Sequence, residues 1–150
     1  MSDLSHNNFA LERLDPPRFP LAKQFYKQAN YHSHVGKEDE VYILRNNNSN
    51  NKIVAAVRLV KSDQYLILRS MVVVPSEQRQ GIGSRLLTEL KPHLTNRECW
   101  CFPFEWLKDF YAQIGFQLQN IEQAPPYIAE SLRRYLRQGR KLTLMKHPLA

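Results

Sequence analysis

Met71-Val72-Val73-Val74-Pro75-Ser76-Glu77-Gln78-Arg79-Gln80-Gly81-Ile82-Gly83-Ser84 is the stretch on which the reading of the fold turns. Apolar, mostly β-branched residues end a strand, Pro75 stops it, a polar loop follows, and Gly81 and Gly83 open a helix. Backbone amides at such a helix start converge, and the helix dipole adds a partial positive charge. Glycine lacks the Cβ that would hold an anionic oxygen away from those amides. The stretch therefore reads as a phosphate cradle, with a plain tight turn as the alternative.

Outward from it, Tyr65 to Val74 is the most apolar strand candidate of the chain, and Ile82, Leu86, Leu87 and Leu90 share one helical face up to Pro92. Upstream, Phe9 to Leu14 reads as a strand stopped by Asp15-Pro16-Pro17, and Leu21 to Tyr31 as a helix. Val41 to Arg45 and Ile53 to Lys61 read as a hairpin across the asparagine-rich turn at 46–51. Downstream come a short strand from Cys99 to Phe102, a helix from Phe104 to Ile114 capped by Gly115, and a strand from Phe116 to Leu118. A helix from Pro125-Pro126 to about Gln138, ended by Gly139, precedes a closing strand from Leu142 to Met145. Hairpins followed by a strand–helix–strand unit predict an α/β fold: one domain over residues 1–150, with a mixed sheet of six or seven strands flanked by helices.

Two nucleotide-binding patterns fail in detail. A dinucleotide fingerprint needs a glycine where Leu86 stands, and a P-loop needs a lysine where Ser84 follows Gly83. What fits is Gln/Arg-x-x-Gly-x-Gly/Ala, here Gln78-x-x-Gly81-x-Gly83 behind Val73-Val74-Pro75. About thirty residues on, Phe110-Tyr111-Ala112-Gln113-Ile114-Gly115-Phe116 matches a Phe-Tyr-x-x-x-Gly-Phe element. With both motifs in order, the chain resembles the GNAT superfamily of N-acetyltransferases over residues 66–116.

The resemblance implies an acetyl-CoA cosubstrate whose pyrophosphate rests on the amides of Gln78, Arg79, Gln80, Gly81, Ile82, Gly83 and Ser84, with Arg79 adding a charge-assisted contact. It implies a pantetheine arm laid along the backbone of Met71, Val72 and Val73, and a backbone N–H of Val72 or Val73 as oxyanion donor. Tyr111 takes the place of the family's proton donor to the departing thiolate. The implied reaction is direct attack of a primary amine, on a small molecule or a protein, in a ternary complex.

Two positions depart from the family pattern. Phe104 stands where many relatives carry a pantetheine-contacting asparagine, and the strand from Tyr65 to Val74 contains no carboxylate to serve as general base. Glu38, Asp39, Glu40, Glu105, His32 and His34 are the remaining candidates, and nothing chooses among them. Arg69 interrupts an apolar strand, so it either pairs with a carboxylate or faces an acidic acceptor. Trp100, Phe102, Phe104 and Trp106 either line the acceptor pocket or belong to the core, and most of them are expected in the core. Acceptor choice is expected to reside in the loops from Ala29 to Glu40 and Gln119 to Pro126.

The formal charge of +7 admits an anionic partner without naming it. Its late cations, Arg133, Arg134, Arg137, Arg140, Lys141 and Lys146, allow a nucleic-acid-binding module as a competing function. The helix apolar face at Tyr127, Ile128, Leu132, Tyr135 and Leu136 makes them simply its wet side. A non-catalytic acyl-CoA sensor is the other alternative. Cys99 and Cys101 alternate along a strand, which suits reduced thiols in a cytoplasmic protein and neither a disulfide nor a metal site. No apolar run reaches the ~20 residues of a membrane span, and the first twenty residues lack the pattern of a secretory signal. Exposed aromatic surface would allow a homodimer.

Overall fold

The structure, a computed structural model, describes residues 8–77 and 81–148. Its strands are β1 (Phe9–Leu14), β2 (Glu40–Asn46), β3 (Lys52–Ser62), β4 (Tyr65–Val73), β5 (Cys99–Cys101), β6 (Gln117–Leu118) and β7 (Met145–His147), and its helices α1 (Phe19–Gln28), α2 (Ile82–Leu90), α3 (Lys108–Ala112) and α4 (Pro126–Arg137). Among the described residues the strands form one seven-stranded mixed sheet in the order β1-β2-β3-β4-β5-β7-β6. β4 and β5 run parallel, with Leu66 opposite Cys99, while β1/β2, β2/β3, β5/β7 and β6/β7 are antiparallel. This is the α/β architecture that the pattern of hairpins and a strand–helix–strand unit predicts.

The chain divides into two compact units, and the division falls within β4. The first unit holds residues 1–61 and 69–90. In it, β2 buries five consecutive residues from Glu40 to Leu44, and β3 buries Val54 through Leu59. Such runs mark strands covered on both faces. Helix α1 turns Phe19, Ala22, Phe25 and Tyr26 onto a cluster with Leu14, Val41, Ile43 and Ala56, against which Val72 and Val74 also pack. Full burial of each large apolar side chain contributes about 1.5–3 kcal/mol.

Helix α1 begins and ends two to three residues earlier than its periodicity predicts. It starts at Phe19 because Pro20, in the first turn, has its fixed φ in the helical range. It stops because Asn30 takes φ 57°. The Asn30 N–H then bonds the Lys27 carbonyl at 3.0 Å and the Tyr31 N–H the Tyr26 carbonyl at 2.9 Å, a Schellman closure with asparagine in the glycine position. Asn50 and Asn51, at φ 56° and 57°, turn the β2–β3 connection in the same way.

The second unit holds residues 62–68 and 91–150. Here α4 ends as expected, with Gly139 at φ 83° and the guanidinium of Arg140 5.0 Å from the Tyr135 ring centre. Ile128, Ala129 and Leu132 are buried and Arg133, Arg134 and Arg137 exposed. Tyr127 and Leu136, expected on the apolar face, are instead exposed. The closing strand lies at Met145–His147 rather than from Leu142 to Met145, because pairing with β5 sets Cys101 opposite Met145 and Cys99 opposite His147. The predicted helix from Phe104 to Ile114 shortens to a 3-10 turn at Glu105–Leu107 and the brief α3.

Cys99 and Cys101 are buried thiols not joined in a disulfide, and burial pushes the Cys101 thiol well above its ordinary range. A thiol-reactive dye is therefore expected to label neither cysteine in the native protein at neutral pH and both after denaturation. Stoichiometric labelling of the folded protein within minutes would refute that packing.

Candidate functional site

The cradle segment belongs to the first unit. Gln78, Arg79 and Gln80 lie outside the described residues. Gly81 has φ +76°, and a Cβ built on it would meet no heavy atom within 4 Å. Its glycine is thus required by backbone conformation and not by crowding. Its carbonyl accepts the Arg85 N–H at 2.9 Å, the bond that starts α2. Gly83 is different: it lies inside α2 and is not among the glycines at positive φ. Ile82 is 2% exposed, so its side chain belongs to the core and only its main chain faces the helix start. Ser84 is half-buried. A nine-residue helix opened by a left-handed glycine fits an anionic phosphate group.

The segment expected to carry pantetheine, Met71 to Val73, is half-buried along its length. Immediately before it stands a residue whose conformation no local pattern foretells. Ser70, inside β4, has φ 57°. The other described non-glycine residues at positive φ are asparagines and an aspartate, whose side chains tolerate that region. A serine there costs about 1–2 kcal/mol, so its surroundings must impose the conformation.

Those surroundings are polar and converge on one residue. The Tyr26 hydroxyl donates to the Ser70 carbonyl at 2.7 Å. Burial raises the Tyr26 phenol far above its ordinary pKa, so it stays a donor throughout the physiological range. The Arg58 guanidinium donates to Ser70 Oγ from Nε at 3.3 Å and from Nη2 at 3.2 Å. Its third nitrogen donates to Asp39 Oδ2 at 2.5 Å, the same oxygen that takes the Gly36 N–H at 2.8 Å. The Ser33 hydroxyl lies 2.8 Å from that of Ser70. Helix α1, the loop before β2, β3 and β4 are thereby tied together at a single serine.

Arg58 is a functional candidate that sequence reasoning misses. Both Arg58 and Arg69 interrupt apolar strands, and the apolar context of β4 draws attention to Arg69. Arg58 is 8% exposed and ion-paired, whereas Arg69 is only half-buried. A signal is present in the sequence, since a guanidinium in the middle of Ile53 to Lys61 needs a partner, and Asp39 is among the candidate carboxylates.

Among the candidate bases, Asp39 is committed to Arg58 and 6% exposed at its side chain. Glu40 is 3% exposed, accepts the Tyr42 hydroxyl at 3.1 Å and lies 3.9 Å from Arg13. Both carboxylates are thus turned to partners within the protein. Glu38, His32 and His34 are exposed on the same loop. Glu38 and Asp39 also line a cavity of about 460 Å³ with Arg13, Asp15, Phe19 and Lys61.

In the second unit, Tyr111 projects from α3 and is 8% exposed. Its ring meets Phe110 and Phe116 edge-on, at 5.2 and 6.0 Å between centres. Phe116 in turn lies 5.2 Å from His147, whose Nε2–H donates to the Ile114 carbonyl at 2.9 Å. A Cβ on Gly115, at φ +111°, would come within 3.2 Å of His147 Nε2, so this glycine is required twice over. The expectation of buried aromatics holds for Trp100, 2% exposed, and fails for Phe104 and Trp106, 42% and 70% exposed. Those two stack face to face at 4.7 Å, covering one another instead of entering a core. Glu105, between them, is exposed.

Among the described residues no group of three or more His, Cys, Asp or Glu side chains is placed to hold a metal ion. No described helix is long and apolar enough to cross a membrane.

Residues 37–118 match the family model described as an acetyltransferase (GNAT) domain. No curated protein sequence matches the chain. Solved structures share its fold. An N-acetylglutamate synthase from Neisseria gonorrhoeae, complexed with coenzyme A and N-acetyl-glutamate, superposes with TM-score 0.63 at 15% identity, over 95% of this chain and 35% of that one. The chain thus spans about a third of that enzyme's length. The ribosomal-protein-S18-alanine N-acetyltransferase from Escherichia coli aligns over 95% of this chain and 94% of its own, with TM-score 0.59 and 17% identity. Rv2747 from Mycobacterium tuberculosis, in complex with CoA and NLQ, aligns over 94% and 99%, with TM-score 0.64 and 16% identity.

Proposed function

Because the chain belongs to the GNAT acetyltransferase family, we propose that it transfers an acetyl group from acetyl-CoA to a primary amine by direct attack in a ternary complex. The observation that supports the donor most directly is Gly81, a left-handed residue that opens α2 behind β4. Main-chain amides of that turn and helix start, Gln78 through Ser84, receive the pyrophosphate, and Arg79 adds its charge. Pantetheine runs along Met71–Val73.

In the transfer the amine nitrogen, having released a proton to solvent, bonds to the acetyl carbon. A backbone N–H of Val72 or Val73 stabilises the oxyanion, the carbon–sulfur bond breaks as the newly bonded nitrogen gives up its second proton to water, and the departing thiolate takes a proton from the Tyr111 hydroxyl, which water restores. Asp39 and Glu40 are both engaged, which leaves water, alone or relayed to the exposed Glu38, His32, His34 or Glu105, to take the proton.

Calorimetric titration of acetyl-CoA into the purified protein tests the donor, and a panel of small amines and peptide amino groups tests the transfer. Saturable binding with acetylation of at least one acceptor is expected. Binding without transfer to any acceptor would favour the sensor, and no binding by folded protein would reduce the cradle to a structural turn. Gly81→Val should weaken acetyl-CoA binding by about tenfold or more, because a β-branched residue at φ +76° strains the turn whose amides are used. Undiminished affinity in that variant would place the phosphates elsewhere.

A further inference from the structure

We propose that Arg58, held by Asp39 and assisted by Ser33 and Tyr26, is a positioning residue that fixes Ser70 in its left-handed conformation and so aims the Met71–Val73 backbone at the cosubstrate. The inference rests on the proposed role of that segment in carrying pantetheine.

A residue at φ 57° breaks the pleat of a strand and rotates the following peptide planes out of the regular ladder. The direction of the N–H and C=O groups of Met71–Val73 therefore depends on whether Ser70 stays left-handed. A serine has no intrinsic preference for that region. Here its carbonyl is held from one side by Tyr26 and its hydroxyl from the other by two guanidinium donors and by Ser33. Arg58 is fixed in its turn, because its remaining nitrogen is bound to a buried carboxylate that also receives the Gly36 amide. Lysine could meet Asp39 as a point charge, but it lacks the planar fork that reaches both Asp39 and Ser70.

The network also couples two functional parts. Ser33, Gly36 and Asp39 belong to the loop expected to choose the acceptor, and Ser70 adjoins the donor segment. Displacing that loop would loosen Ser70. The device thus links the position of that loop to alignment of the thioester, and misplacement of about 1 Å at a reacting centre costs on the order of 100-fold in rate.

The test compares wild type, Arg58→Met/Asp39→Asn, and the same double variant carrying Ser70→Gly. Removing both charges avoids stranding a buried ion, and asparagine keeps an acceptor for the Gly36 amide. Glycine enters the left-handed region at no steric cost. Acetyl-CoA affinity, kcat and the amide NMR shifts of residues 70–73 are measured on each folded protein. The double variant is expected to shift those amides, weaken acetyl-CoA binding by about tenfold and lower kcat by about 100-fold. Adding Ser70→Gly should return the amides toward wild type and recover most of the affinity. Unshifted amides in the double variant would overturn the proposal, as would a loss of binding that glycine leaves in place. If wild type fails to bind acetyl-CoA, the donor reading falls, and the amide shifts still decide whether Arg58 holds the strand.

Discussion

Tyr111→Phe is expected to lower turnover by about 10²–10⁴-fold while leaving acetyl-CoA affinity within a factor of about three. The substitution keeps the aromatic ring and with it the edge-on contacts to Phe110 and Phe116. Stability should fall by no more than about 1–3 kcal/mol, because only a hydroxyl is removed from a site 8% exposed. A phenol, with an ordinary pKa near 10, is protonated at neutral pH and can supply a proton to a thiolate. Without it, the thiolate leaves unprotonated or waits for water. Steady-state kinetics beside calorimetry separate the two effects. Unchanged turnover would reduce Tyr111 to a packing residue, and a large rise in acetyl-CoA Kd with kcat intact would make it a binding residue.

Arg58→Met should be the most destabilising of these single substitutions, at about 3–5 kcal/mol. It strands the Asp39 carboxylate, 6% exposed at its side chain, and leaves it the Gly36 amide at 2.8 Å without the neutralising cation. It also withdraws both guanidinium donors from Ser70 Oγ, so that a left-handed serine is less well held. At roughly 2–4 °C per kcal/mol for a chain of this size, the melting temperature should fall by about 10 °C. Arg58→Met/Asp39→Asn should recover most of the loss, since it is the unpaired charge and not the missing ion pair that is costly. Thermal unfolding of the three proteins decides it. A single variant within about 1 kcal/mol of wild type would show that Asp39 finds solvent or another partner.

The residue behind the first of these effects is legible in the amino-acid sequence alone. Tyr111 stands inside a motif, and a motif is a local pattern: residue types at fixed spacing. The same holds for Gly81, whose place before an apolar helical stripe points to a tight turn, and its φ of +76° is one that glycine adopts without strain. Strand and helix identity are legible for the same reason, because alternation and 3.6-residue periodicity follow from short-range geometry. Helix ends are less so. The close of α1 at Asn30 and the entry through Pro20 depend on single residues whose conformational options a hydrophobic pattern does not weigh.

By itself, then, the sequence determined the α/β class, the strand-turn-helix that suits a phosphate, and the family to which the chain belongs. Tertiary structure alone decided which arginine is buried, which carboxylates are engaged, and that Ser70 is left-handed. Arg58 and Asp39 are nineteen positions apart, and Ser70 and Tyr26 forty-four. Similarly, Trp106 and Phe104 look like core residues until the fold leaves them at a surface where each covers the other. The physical reason is common to all of these. Burial and pairing of a polar group depend on what the rest of the chain brings against it, and desolvation makes that the deciding free energy.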